Sequence, residues 1–167
     1  MAQTSTTLIS AKSHITSITG TDISLSATSG VYTISATSTV LTGAGKLAVG
    51  DLITVSGSAS NNSTFTVSTV VSTLEITVAE VVTSENADGS STITLDHVGF
   101  VSDKAKGDGY YSQPDGVHTV AYQVANDFNA DATIKMQGTL ATTPTEDDWF
   151  DIANTTFTSD TSTLTSS

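Results

Sequence analysis

Apolar and polar residues alternate with a period of two along most of the chain, and no stretch carries the period of an amphipathic helix. In TDISLSA (residues 21–27) the apolar Ile23, Leu25 and Ala27 alternate with Asp22, Ser24 and Ser26, which predicts a half-buried strand. VYTISA (31–36) puts Tyr32, Ile34 and Ala36 on one face. LITVSG, STFTVSTV and LEITVAEVV follow as further strands; Phe65 and Val67 share a face of one, Ile76 and Val78 a face of another. Turn signals separate these runs: Gly43 and Gly45, Gly50-Asp51, Ser60 to Ser63 with its two asparagines, and Asp88-Gly89. Such signals recurring about every ten residues predict a β-sandwich or barrel.

The pattern shifts after Asp96. From there to Ile152 the chain holds both prolines, its only Trp and most of its aromatic residues, while the Ser/Thr density falls. A boundary is expected within 97–108, where Lys104, Lys106 and glycines mark an exposed connection. Beyond it, VHTVAYQV places His118, Val120, Tyr122 and Val124 on one face of a strand, and TIKMQGTL places Ile134, Met136 and Leu140 on one face of the next. Thr145 to Asp148, after Pro144, has the spacing of a capping box at the entry of a short helical turn. The expected architecture is all-β: an N-terminal arm (1–20), a first antiparallel β-sandwich or barrel-like module (21–97), a second (98–154) and a Thr/Ser-rich tail (155–167). The two ends are weakly patterned and are expected to be flexible.

Composition sharpens this picture. Ser and Thr make up roughly a third of the 167 residues, and Thr, being β-branched, favours strands while supplying a polar face. The formal net charge is −12, with five Lys and no Arg. Such a chain has no means of neutralising a row of phosphates, so a nucleic-acid partner is not expected. The absence of cysteine excludes disulfides, thiolate metal sites and thiol nucleophiles. No apolar run is long enough for a membrane-spanning helix, and the opening residues lack the basic-then-apolar order of a signal peptide, so a product of the cytoplasm with no membrane partner is expected.

Candidate chemistry is sparse. Glu146, Asp147, Asp148 and Asp151 surround Trp149-Phe150, but EDDWFD lacks the spacing of a calcium loop; the simpler reading has the acids capping a turn whose Trp149 and Phe150 plug the core beside Tyr122. His14, His97 and His118 stand far apart, with no pairing that would place two imidazoles on one helical face. GAGKLAVGD lacks a phosphate-binding loop pattern and reads as a tight turn. The sequons at Asn61, Asn62 and Asn154 are chance products of a Ser/Thr-rich chain. Neither a catalytic residue nor a metal or cofactor ligand set is expected.

Two stretches resemble known proteins. VGDLITVSGSASNNSTFTVSTV resembles a small β module of tailed-bacteriophage virion proteins, through Gly50, Asp51, Ile53, Val55, Gly57, Asn61, Thr64, Phe65, Thr66 and Val67; the family form often has Gly where this chain has Ser63. KGDGYYSQPDGVHTVAYQV with IKMQGTLATTPTEDDWFDI is similar to a domain of structural proteins of marine T4-like phages, especially cyanophages, through Gly107, Asp108, Gly109, Tyr110, Tyr111, Asp115, Gly116, His118, Thr119, Gln137, Gly138, Leu140, Ala141, Pro144, Trp149 and Phe150. The resemblance implies a non-enzymatic virion component made in the host bacterial cytoplasm, whose partners are other virion proteins, either the major capsid protein or tail proteins. An exterior capsid decoration protein fits the short chain best; a tail fibre, baseplate or neck component is the alternative. Similar proteins carry further strands after the DWF element, and Leu8, Ile9, Ile15 and Ile18 have no evident local partner. The chain is therefore expected to form a homo-oligomer, with a trimer favoured by analogy. Interface and structural candidates are those four residues with Phe65, Tyr110, Tyr111, His118, Tyr122, Trp149 and Phe150.

Overall fold

A computed structural model of the chain describes residues 15–102 and 133–158, and the chain divides into two compact units, Met1–Ala105 and Lys106–Ser167. The first unit holds strands β1 (Ile18–Gly20), β2 (Ile23–Thr28), β3 (Val31–Ala36), β4 (Asp51–Ser56), β5 (Thr64–Ser72), β6 (Glu75–Val78) and β7 (Ile93–Phe100). They form one seven-stranded sheet in the order β1-β7-β4-β5-β6-β3-β2, every neighbouring pair antiparallel. No α-helix is found among the described residues, and the protein is all-β.

This sheet rolls up on itself. Strands β1 and β2 are its two edges, yet only Thr21 and Asp22 separate them. Seven strands laid flat would put those edges about 29 Å apart at about 4.8 Å per pair. Three Cα–Cα steps from Gly20 to Ile23 reach at most about 11 Å. The end of β1 therefore comes back beside the start of β2, and strand alternation sends every second side chain into the enclosed space: Ile18, Ile23, Leu25, Ile34, Ile53, Val55, Phe65, Val67, Ile76, Val78, Ile93 and Leu95 are all buried there. The connection between β3 and β4 adds Leu41 and Leu47, and Val82 comes from the segment after β6. Strand β5 is bulged twice, since register shifts at Val67/Thr69 and Val70/Ser72 leave Ser68 and Val71 without opposite numbers on β6. Bulges of this kind raise local twist, which is how one nine-residue strand serves both halves of the sheet.

Glycine is required at two turns. Gly57 has φ +79°, and a Cβ there would sit 2.1 Å from the Thr92 carbonyl oxygen. Gly50 has φ +86°, and a Cβ would meet the Val101 carbonyl oxygen at 2.6 Å. The segment 43–47 is the tight turn read from the sequence, closed by the Lys46 N–H donating to the Gly43 carbonyl at 3.1 Å.

Several expectations are corrected here. Within the expected arm, Ile15 and Ile18 are 6% and 3% exposed, because β1 pairs with β7 and turns Ile18 inward. They belong to the core of their own chain and not to an interface between chains. The first module runs past residue 97, since β7 continues to Phe100. Ala27, expected to face inward with Ile23 and Leu25, is exposed near the β2–β3 hairpin tip.

In the second unit the described residues form two ribbons of two-residue strands: β8 (Thr133–Ile134) with β11 (Phe157–Thr158), and β9 (Gln137–Gly138) with β10 (Phe150–Asp151). TIKMQGTL is thus two short strands rather than one, and Leu140, expected on a buried face, is 94% exposed. Phe150 is 51% exposed and does not plug a core. Its ring instead lies across the strand pair towards Gly138, where a Cβ would come 3.7 Å from the ring. Trp149, expected to be fully enclosed, is half-buried at the end of the 3-10 turn Glu146–Asp148. Leu8, Ile9, Tyr110, Tyr111, His118 and Tyr122 lie outside the described residues.

Candidate functional site

The acids of the first unit hold loops together. Asp22, in the two-residue link between β1 and β2, accepts hydrogen bonds from the Ser38 and Thr39 N–H groups at 2.6 and 2.9 Å, and from the hydroxyls of Thr37, Ser38 and Thr39. This ties the start of the β3–β4 connection to the seam of the rolled sheet. The Thr39 hydroxyl and backbone, followed by the Ser38 backbone, hold the Asp22 carboxyl well below the usual carboxylate range. Asp88 works in the same way on a smaller scale, accepting from the Ser90 and Ser91 N–H groups at 2.8 and 2.6 Å and from the Ser91 hydroxyl. Its pKa is likewise depressed, first by the Ser91 hydroxyl.

Glu85 anchors the largest of these networks. Its carboxylate accepts from the Ser58 hydroxyl at 2.6 Å, the Ala59 N–H at 2.8 Å, the Ser60 N–H at 3.2 Å and the Asn61 amide at 3.1 Å. These donors lower its pKa, the Ser58 hydroxyl most of all. Asn61, only 4% exposed, also clamps Thr83 from both sides, accepting from its N–H at 2.7 Å and donating to its carbonyl at 3.0 Å. The same segment then closes the edge of β2: Leu25 and Glu85 exchange backbone hydrogen bonds of 2.9 and 2.8 Å, flanked by Ala27 N–H donating to Ser84 Oγ and Ala87 N–H donating to Ser24 Oγ. Residues 82–87 are a strap laid over an otherwise open strand edge. Sequence alone marks Asn61 and Gly57 only as turn residues. The role of Glu85 leaves no local mark in the sequence, because its partners lie some 25 residues back.

At the Gly50-Asp51 turn, Asp51 is fully buried and accepts from the Ala48 N–H at 2.8 Å, while its other oxygen stands 4.0 Å from His97 Nε2. His97 packs against Phe100 with ring centroids 4.6 Å apart. Gly50 donates to Val67 and accepts from Val101, so this turn fastens the start of β4 to β5 and to the end of β7. Phe65, one of the interface and structural candidates, lies in the core of the first unit at 2% exposure.

In the second unit Asp148 accepts from both the N–H and the hydroxyl of Thr145 at 2.7 Å, the reach-back of a capping box, and these bonds lower its pKa. Asp151 bonds Lys135 Nζ and Gln137 Nε2, each at 2.9 Å, across the β9–β10 ribbon, and Lys135 is the main cause of its lowered pKa. Asp148 and Asp151, on either side of Trp149-Phe150, thus serve different partners. Among the described residues, no group of three or more His, Asp or Glu side chains is placed to hold a metal ion. Nor is any helix among them long and apolar enough to cross a membrane.

Most of what the rolled sheet presents outward, alongside Val31, Val98, Glu75 and Asp96, is hydroxyl groups. Strand register lines them up in rows: Thr19, Thr94 and Ser56 across β1, β7 and β4; Thr54 and Thr64 across β4 and β5; Ser26, Thr33, Thr77 and Thr69 across β2, β3, β6 and β5. Neighbours bond one another, Thr54 to Thr64 and Ser68 to Thr77 at 3.0 Å each. Paired hydroxyls on short stems form a stiff polar surface with little rotamer entropy left to lose on contact. Comparison of the chain with protein-family models, with curated proteins and with solved structures gives no match.

Proposed function

We propose that the chain is a non-enzymatic structural protein of a tailed-bacteriophage virion, and specifically an exterior capsid decoration protein that docks on other virion proteins. The observation that carries this reading is the outer face of the rolled sheet, built as registered rows of Ser and Thr. A surface of this kind suits docking against a fixed neighbour, because it is already ordered and asks little further entropy on contact. Its carboxylates support the same reading. Asp22, Glu85 and Asp88 are engaged by hydrogen bonds that fix loops and keep the outer face rigid. The resemblance of the VGDLITVSG and PTEDDWF stretches to phage structural proteins supplies the biological setting. A homo-oligomer, with a trimer favoured, follows from the same analogy.

The test is the protein content of purified virus particles from the source that encodes the chain. Quantitative mass spectrometry is expected to find it at a copy number comparable to that of the shell subunits. Particles that lack it, in a lysate where the protein is abundant, would overturn the proposal.

A further inference from the structure

Asp88-Gly89 is the one Asp-Gly pair among the described residues, and it lies exposed in the link between the strap of residues 82–87 and β7. In such a pair glycine has no side chain to shield its nitrogen, and the aspartyl carboxyl one position back can reach it. The Gly89 nitrogen then bonds to Asp88 Cγ, and the carboxyl hydroxyl leaves with the amide proton as water. Water reopens the five-membered imide; opening at the main-chain carbonyl gives isoaspartate, of unchanged mass, with one extra carbon in the backbone. The first step needs a carboxyl that is free to turn onto the Gly89 nitrogen and that carries the proton lost in the water.

Here both carboxyl oxygens are occupied. Oδ1 accepts from the Ser90 and Ser91 N–H groups at 2.8 and 2.6 Å, and Oδ2 accepts from the Ser91 hydroxyl at 2.6 Å. These bonds hold the carboxyl towards the two residues beyond Gly89. Its pKa, lowered first by the Ser91 hydroxyl, makes the protonated form rarer than in a free Asp. We propose that Ser90 and Ser91 guard the Asp88-Gly89 bond against isoaspartate formation, so that this link ages only when the three hydrogen bonds open. The product bears on the sheet. The link joins the strap, where Glu85 exchanges two backbone hydrogen bonds with Leu25 of β2, to the start of β7. An extra backbone carbon, with the carboxylate moved onto Cα, takes the acceptor away from its donors.

The test uses full-length protein kept at neutral pH, folded and in urea, with isoaspartate at position 88 followed over time by fragmentation mass spectrometry. The folded chain is expected to form it at least about tenfold more slowly than the chain in urea, where the hydrogen bonds are absent. Ser91→Ala removes the bond to Oδ2 and is expected to raise the folded rate at least about threefold, with no change in urea. Ser91→Thr keeps a hydroxyl and should return the rate to that of the parent. Since Ser91 is exposed, Ser91→Ala should melt close to the parent chain. Equal rates folded and in urea, or a folded Ser91→Ala that isomerises no faster than the parent, would overturn the guard while leaving the virion reading standing.

Discussion

Asn61 shows how much one side chain does in a fold made of loops and short strands. It is buried, joins Thr83 through two hydrogen bonds and reaches Glu85 through a third. Replacement by Ala leaves backbone groups of Thr83 without partners, and such losses cost about 1–3 kcal/mol. Urea unfolding of Asn61→Ala should register that loss, whereas Asn86→Ala, at an exposed position of the same strap, should lose less. The loop-holding acids give the protein a characteristic acid response. Asp22, Glu85 and Asp88 all have folded-state pKa values below their ordinary ones. A group depressed in this way stabilises the fold above its unfolded pKa, and that stabilisation is lost as pH falls through the folded value. As far as these groups are concerned, the melting temperature should be level from pH 7 to about pH 5 and fall below about pH 4. Asp22→Asn should lower it at pH 7 and flatten the acid limb. A limb of unchanged slope in that variant would contradict the role given to Asp22.

At the level of elements, the strands from β2 to β6 are legible in the sequence because strict alternation of Ile, Leu, Val and Phe with Ser and Thr leaves only one face to bury. The 3-10 turn at Glu146–Asp148 is legible from Thr145 and Asp148 for a similarly local reason. Strands β1 and β7 are not. In β1 three residues carry a single buried Ile, too little for a period to show. In β7 the inward row Ile93, Leu95, His97 ends on a histidine, which reads as polar until Asp51 and Phe100 are seen around it. The closure of the sheet is also hidden, because it depends on the pairing order and not on any single segment. Ile18 tests that closure directly. If β1 completes the rolled sheet, Ile18→Ala should cost about 2–5 kcal/mol, as for other buried Ile truncations. Val98→Ala, at a residue 56% exposed on the partnering β7, should cost far less. Equal and small losses would contradict the place given to β1.

As a whole molecule, the protein couples two opposed features, a charge of −12 and a skin of neutral hydroxyls. In the first unit Asp22, Glu85 and Asp88 hold turns, while Ser and Thr occupy most outward strand positions, which they share with Glu75 and Asp96. Charge thereby opposes contact over most of the surface, and the uncharged strand faces oppose it least. That division of labour is what a protein stored in solution and then spread over a particle requires, and it is the physical content of the decoration proposal. Electron cryomicroscopy of intact particles, at a resolution that recognises the rolled seven-stranded sheet, tests it most directly. The account predicts this density repeated at many equivalent positions on the outside of the shell; finding it only at the tail in a small multiple of three or six copies, or nowhere on the particle, would contradict it.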